Sequence, residues 1–219
     1  TSASCVTGLI VYDTFCQWTV FGQIVLIILI QIGGMGFMTI ISLAALATGR
    51  KIGLKERSVL SESVNKPELG GIIRMVKKIA TGTFICEGIG ALLLSTRFIP
   101  KMGLLQGIGN SAFLAISAFC NAGFDLLTAT PGAVGLSEYT NNPLVMITLI
   151  VLITTGGLGF IGWRNIRHYS KAKRLLLHTK LVLIMAAVML LVGAAIIFIV
   201  EFSNQDTLGQ MPVGEKILT

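Results

Sequence analysis

The chain has 219 residues, of which 53% are hydrophobic and only 12% charged, with 25 Gly against 5 Pro. That mix excludes an ordinary soluble domain, a disordered chain and a collagen-like chain, and leaves a membrane protein whose glycines let helix backbones approach closely. The formal charge of +7 is carried without aromatic residues interleaved among the cations, which argues against a nucleic-acid partner.

In chain order, the opening residues TSASCVTGLI have no basic segment followed by a continuous apolar run, so no signal peptide is read there. Residues 20–48 are apolar for long enough to cross a bilayer, which takes about 20 residues at 1.5 Å each. They end on Gly49, Arg50 and Lys51. Residues 71–98 read as a helix returning across, its basic start (Arg74, Lys77, Lys78) held at the interface. Residues 102–119 contain Gly and Asn and are better by length as a half-membrane helix. Residues 143–163 form another full span closing on Arg164 and Arg167, and residues 179–202 one more, with Glu201 near its end. A new helical pattern starts at 215–219, so both ends of the chain are read as lying inside longer elements.

The cations are not spread evenly. Eight Lys and Arg fall between Arg50 and Lys78 and six between Arg164 and Lys180, fourteen of the seventeen. Basic connections between apolar spans mark the cytoplasmic side, which places both stretches in the cytoplasm and the segment between them outside.

An internal repeat organises these spans. Ser2, Ala3, Cys5 and Gly8 match Ser117, Ala118, Cys120 and Gly123 at an offset of 115. Further on, IQIGGMGFMT from Ile30 matches ITTGGLGFIG from Ile153 at an offset of 123. The repeated unit is a helix, a half-helix, a loop and a second helix, and the same motif precedes an inward-going helix both times. The expected fold is therefore an all-α membrane protein of tandem helix–pore-loop–helix repeats. The divisions are 1–49 (loop and inner helix of a first repeat), 50–70 (basic connection), 71–163 (second repeat), 164–178 (basic connection) and 179–219 (first helix and start of a pore helix of a third).

Non-helical backbone at membrane depth survives only where it lines an aqueous path or is buried in protein. A half-helix followed by a Gly-containing loop is how a re-entrant pore loop is built, and its carbonyls can replace the water shell of a cation. Gly tolerates the backbone geometry this needs, and the C-terminal end of the half-helix adds partial negative charge. Gly33, Gly34 and Gly36, with Gly156, Gly157 and Gly159, read as packing contacts, with a bend in the inner helix as the sharper alternative. Asp13 and Asp125 follow the loops, either concentrating cations at a mouth or simply solvated. Glu87 lies inside an apolar span, where a carboxylate needs a partner or a cavity. Cys5, Cys16, Cys86 and Cys120 show no metal-ligand spacing, and His168 and His178 sit among cations as solvated or interfacial residues.

Cys5-Val6-Thr7-Gly8 and Cys120-Asn121-Ala122-Gly123 resemble degenerate potassium-channel signatures that keep one glycine per repeat, the pattern of the Trk/Ktr/HKT superfamily. The surrounding SASCVTGLIVYDT and AISAFCNAGFDLL, and the later QIGGMGFMT and TTGGLGFIGWRNI, are similar to the filters and inner helices of Ktr-type translocation subunits over essentially the whole chain. The resemblance implies potassium uptake through a selectivity filter formed by Cys5, Val6, Thr7, Gly8, Cys120, Asn121, Ala122 and Gly123, with K+ held by their backbone carbonyls. It implies four such repeats around one pore and no covalent cofactor, with K+ as transported ion and Na+ as a candidate coupling ion. It also implies a homodimer in the bacterial plasma membrane, crossing it several times, and a cytosolic nucleotide-binding regulatory ring against the basic connections. Contact of the same cations with phospholipid explains them equally well.

Two other function classes are weighed beside this one. Gly109-Asn110-Ser111-Ala112 places a serine inside a membrane segment, as an intramembrane hydrolase would, but such an enzyme needs a base at that depth and both histidines lie in the basic stretch. No enzymatic activity is expected. A non-conducting scaffold or regulatory protein on the same repeats is the remaining alternative. The orientation is tested with single cysteines replacing Glu56 and Ser170 in a background lacking the four native thiols. Both should react with a membrane-impermeant thiol reagent only after cells are permeabilised.

Overall fold

The structure is a computed structural model that describes residues 1–11, 14–36, 72–127, 135–139, 142–159 and 177–201. Every regular element among them is helical: α1 (Thr14–Gln17), α2 (Val20–Met35), α3 (Ile72–Met102), α4 (Leu104–Phe119), a short 3-10 turn (Gly135–Tyr139), α5 (Pro143–Gly157) and α6 (Leu177–Glu201). The all-α reading holds. Asp13, His168, the basic connections 50–70 and 164–176, and the end of the chain from 202 lie outside the described residues, as does the His178 side chain.

Helix α2 starts where Thr19, with extended backbone, accepts the Gly22 N–H on Oγ1 at 3.4 Å. Helix α5 starts on Pro143, whose fixed φ suits a first helical position and whose missing N–H leaves no donor unpaired. Inside the apolar helices, hydroxyls donate to carbonyls of the preceding turn, as Thr148 does to Leu144 and Thr154 to Ile150, both at 2.7 Å. Those two hydroxyls are thereby satisfied within their own helix, whereas the buried Thr83 Oγ1 of α3 has no partner among the described residues.

Two stretches are long and apolar enough to cross a membrane, Val76–Met102 and Thr179–Val200. Helices α2, α4 and α5 are shorter. Helix α4, with 16 residues, is shorter than a full crossing, as expected. Helices α2 and α5 end within the spans expected over 20–48 and 143–163, of which residues 37–48 and 160–163 lie outside the described residues. Gly36 has φ 80° and ends α2, and Gly159, its equivalent in the repeat, has φ 66° two residues past the end of α5. At about 1.5 Å per residue the uninterrupted parts cover only some 22–24 Å, less than the roughly 30 Å hydrocarbon core.

Helix α4 is the hub. It packs along α3, against α5, and across the repeat boundary against α2. Two apolar clusters result. One is internal to the second repeat: Leu94 and Phe98 of α3, Ala115 and Phe119 of α4, Tyr139, and Leu149 of α5. The other joins the repeats, with Ala3 and Ile30 of the first against Phe113, Ala122, Phe124 and Leu126 of the second. Helix α6 differs from these: its membrane-length stretch has none of its most apolar window buried.

Phe98 is fully buried, edge-on to Tyr139 with ring centroids 4.9 Å apart, and Lys101 Nζ lies 4.4 Å from the centre of the same Tyr139 ring. This ties the 3-10 turn to the end of α3. Phe98→Ala should therefore cost about 3–5 kcal/mol, whereas Phe84→Ala, whose ring on the same helix is 57% exposed, should cost almost nothing. Thermal unfolding of the detergent-solubilised protein measures the difference.

Candidate functional site

The two loops singled out in the sequence share one pattern of backbone closure, after helix α4 in the second repeat and after a single turn in the first. In the second repeat, α4 stops at Cys120, and three backbone bonds close its end: Cys120 N–H to Ile116 O at 2.9 Å, Asn121 N–H to Ala118 O at 3.1 Å and Ala122 N–H to Ser117 O at 2.8 Å. The last two form a Schellman closure, which requires a left-handed residue at Asn121. Asn121 has φ 57°.

The first repeat reproduces this at an offset of 115. Cys5 N–H donates to Thr1 O at 2.9 Å, Val6 N–H to Ala3 O at 3.4 Å and Thr7 N–H to Ser2 O at 3.0 Å, with Val6 at φ 53°. Asn is among the residues that enter this region most readily, while a β-branched residue there is strained by about 1–3 kcal/mol.

Two residues on from each left-handed position stands the loop glycine, Gly8 at φ 76° and Gly123 at φ 73°. The intervening Thr7 and Ala122 do not have positive φ, so its sign alternates along both loops. The loops meet at the glycines. A Cβ on Gly8 would lie 2.7 Å from the Ala122 carbonyl oxygen, and one on Gly123 would lie 3.5 Å from Gly8 Cα. Only a residue without a side chain fits the first position.

All eight candidate filter residues thus fall in two adjoining loops, with Cys5, Thr7, Asn121 and Gly123 exposed and Ala122 buried. Asp125 is half-buried and lines a cleft of about 240 Å³ with Ser117, Asn121, Gly123, Leu149 and Ile153. Beyond the glycines the loops differ. Ser117 Oγ accepts the Phe124 N–H at 2.8 Å, while its equivalent Ser2 Oγ is buried with no partner. Asn110, on α4, donates to the Leu126 carbonyl at 3.5 Å, so the second loop is held at a second point. Ser111 Oγ is turned back into α4, donating to Gly107 O at 2.6 Å.

The inner-helix glycines seat these loops. A Cβ on Gly33 would strike the Ser4 carbonyl and come within 2.8 Å of Val6 Cγ2. At the equivalent position in the second repeat, a Cβ on Gly156 would strike the Phe119 carbonyl. Ser4 and Phe119 are themselves related by the offset of 115, so α2 and α5 each rest on the same carbonyl of the segment before the loop in their own repeat. Gly34 reaches across instead: its Cβ would fall on the Cys120 side chain.

Glu87 sits behind the second loop, 4% exposed. The Gln31 amide nitrogen donates to its Oε1 at 3.0 Å and Oε2 at 3.1 Å, and Cys120 Sγ lies 3.9 Å from Oε1. Gln31 was not singled out from the sequence. The signal was present, as a polar residue in the middle of the apolar run ILIQI, but nothing in a linear reading joins it to a carboxylate 56 positions away.

Two glycines adjacent in sequence should respond differently. Gly156→Ala drives a methyl into the Phe119 carbonyl and should lower the melting temperature of the purified protein by about 2–10 °C. Gly157→Ala, with nothing nearer than Asn121 Nδ2 at 3.7 Å, should leave it unchanged or slightly higher.

The model of the TrkH cation transport protein family matches residues 1–219. The chain is 42% identical over 216 residues to the Ktr system potassium uptake protein B of Bacillus subtilis, covering 99% of this chain and 47% of that protein. It is 43% identical over 217 residues to the potassium/sodium uptake protein NtpJ of Enterococcus hirae, covering 99% and 47%. With the Ktr system potassium uptake protein B of Vibrio alginolyticus it shares 38% over 220 residues, covering 100% and 47%. The chain spans about half the length of the curated relatives it matches. It belongs to the TrkH family of cation transport proteins.

Proposed function

We propose that this chain supplies two of the pore loops of a potassium uptake translocation subunit, and that residues 5–8 and 120–123 are its share of the selectivity filter. The observation that carries this reading is the alternating φ in both loops, at Val6 and Gly8 and at Asn121 and Gly123. In an extended chain successive carbonyls point to opposite sides. Alternating handedness turns them to one side, where they can face a cation in place of its water. The C-terminal end of α4, which stops at Cys120, adds partial negative charge at the second loop.

The names of the relatives support potassium as the ion, and one of them names sodium as well. Sodium is accordingly the candidate coupling or competing ion. The protein crosses the bacterial plasma membrane several times with its basic connections on the cytoplasmic side. Like the "system" in its relatives' names, it works with further subunits, here a homodimer and a cytosolic nucleotide-binding ring. Transport in this reading needs no catalytic residue.

The test is made in the full-length protein expressed in cells lacking their own potassium uptake. Gly8→Ser strains the backbone and displaces the Ala122 carbonyl, and should raise the half-saturating potassium concentration by about 10–100-fold, the equivalent of 1–3 kcal/mol. Gly123→Ser, strained but not crowded, should act in the same direction and less strongly. Both should weaken discrimination against sodium while membrane abundance stays near normal. Unchanged affinity and selectivity in both variants would remove these loops from the ion path, and absence of any uptake by the wild type would favour a non-conducting scaffold.

A further inference from the structure

We propose that Glu87 is a positioning residue for the second loop: through Cys120 it locks the left-handed turn at Asn121 in register with the inner helix of the first repeat, by way of Gln31. The proposal deepens the reading of these loops as an ion path and rests on it.

Four observations converge. Glu87 is buried in a helix long enough to cross the membrane, where a carboxylate is expensive and is kept only with partners. Both of its oxygens accept from the one amide nitrogen of Gln31, at 3.0 and 3.1 Å, so the carboxylate plane is oriented by a residue of the other repeat. The Gln31 carbonyl oxygen is buried without a partner. An orphaned acceptor is unfavourable, so Gln31 is held in place by the carboxylate rather than by its own satisfaction.

The fourth observation is the position of Cys120. Its thiol is 3.9 Å from Glu87 Oε1 on one side, and its side chain fills the space above Gly34, three residues beyond Gln31, on the other. Cys120 is the capping residue of α4, immediately before Asn121 at φ 57°. A sideways movement of this side chain therefore turns directly into rotation of the loop carbonyls. Among the filter residues Glu87 meets Cys120, at its thiol and not at a backbone carbonyl, and it acts through that side chain.

The role is tested in the full-length transporter with Glu87→Ala, Gln31→Ala, the double variant, and the exchange Glu87→Gln with Gln31→Glu, which restores a carboxylate–amide pair in reverse. Each alanine variant should raise the half-saturating potassium concentration about tenfold and lower the preference for potassium over sodium, with maximal rate per inserted protein changed less. The double variant should be no worse than either single one, as for residues acting as a unit, and the exchange should recover to within about threefold of wild type.

A second readout does not need transport. In a background where Cys5, Cys16 and Cys86 are replaced by Ser, a small membrane-permeant alkylating reagent should modify Cys120 several-fold faster in Gln31→Ala. If Glu87→Ala does not reach the membrane, Gln31→Ala and the exchange decide alone. Normal affinity, selectivity and Cys120 reactivity in Gln31→Ala, or an exchange that recovers nothing, would overturn the proposal. If Gly123→Ser shifts potassium affinity while these variants do not, only the positioning role fails; if the wild type takes up no potassium, the role falls with the ion path.

Discussion

The close seating of a glycine on a helix-end carbonyl is what the rest of this molecule depends on. A polypeptide that stops being helical inside a membrane leaves carbonyls that neither water nor the next turn will satisfy. Here the last turns at Ser2 and Ser117 are closed by backbone bonds from Thr7 and Ala122, and the carbonyls of Ser4 and Phe119 are covered by Gly33 and Gly156. The cover works only because an inner helix can come within backbone distance, and that in turn requires no Cβ at those two positions. Placement of α2 and α5, the exit direction of the loops and the meeting of Gly8 with Gly123 all follow from that contact.

Much of this was legible because the chain states it twice. The matched Ser, Ala, Cys and Gly at an offset of 115 anticipate a shared hydrogen-bond pattern, and α4, at 16 residues, is shorter than a full crossing, as its length in the sequence indicates. What a linear reading missed has physical reasons. Gly156 and Gly157 look alike in sequence, yet one faces a carbonyl and the other has nothing within 3.7 Å, a distinction set by helix rotation. Gly36 and Gly159 carry positive φ, in line with the bend weighed as the sharper alternative for these glycines; composition could not choose it, since apolarity measures the solvent and not the dihedral. The partner of Glu87 lies on another repeat, out of reach of any spacing rule.

The two loops differ at equivalent positions. The second has Asn at its left-handed position and a serine holding the residue after the glycine. The first puts a β-branched valine in the same conformation and leaves its serine hydroxyl unpaired. The offset between repeats grows from 115 at the loops to 123 at the inner helices, so the second unit has eight more residues in the connection between them, the region that contains Tyr139. Duplicated units drift in length where the chain leaves the packed helices, and here the added length supplies an anchor.

Helix α6 carries a different consequence. The most apolar part of its 22-residue stretch, with Val188, Leu191, Ile197 and Val200 all exposed, has no residue buried against the other described helices. Such a segment is held by partitioning into hydrocarbon, which needs no neighbour, whereas α4 is too short to span and owes its position to the helices around it. By length and apolarity α3 and α6 could each partition alone, whereas α4 would depend on there being helices for it to lie against.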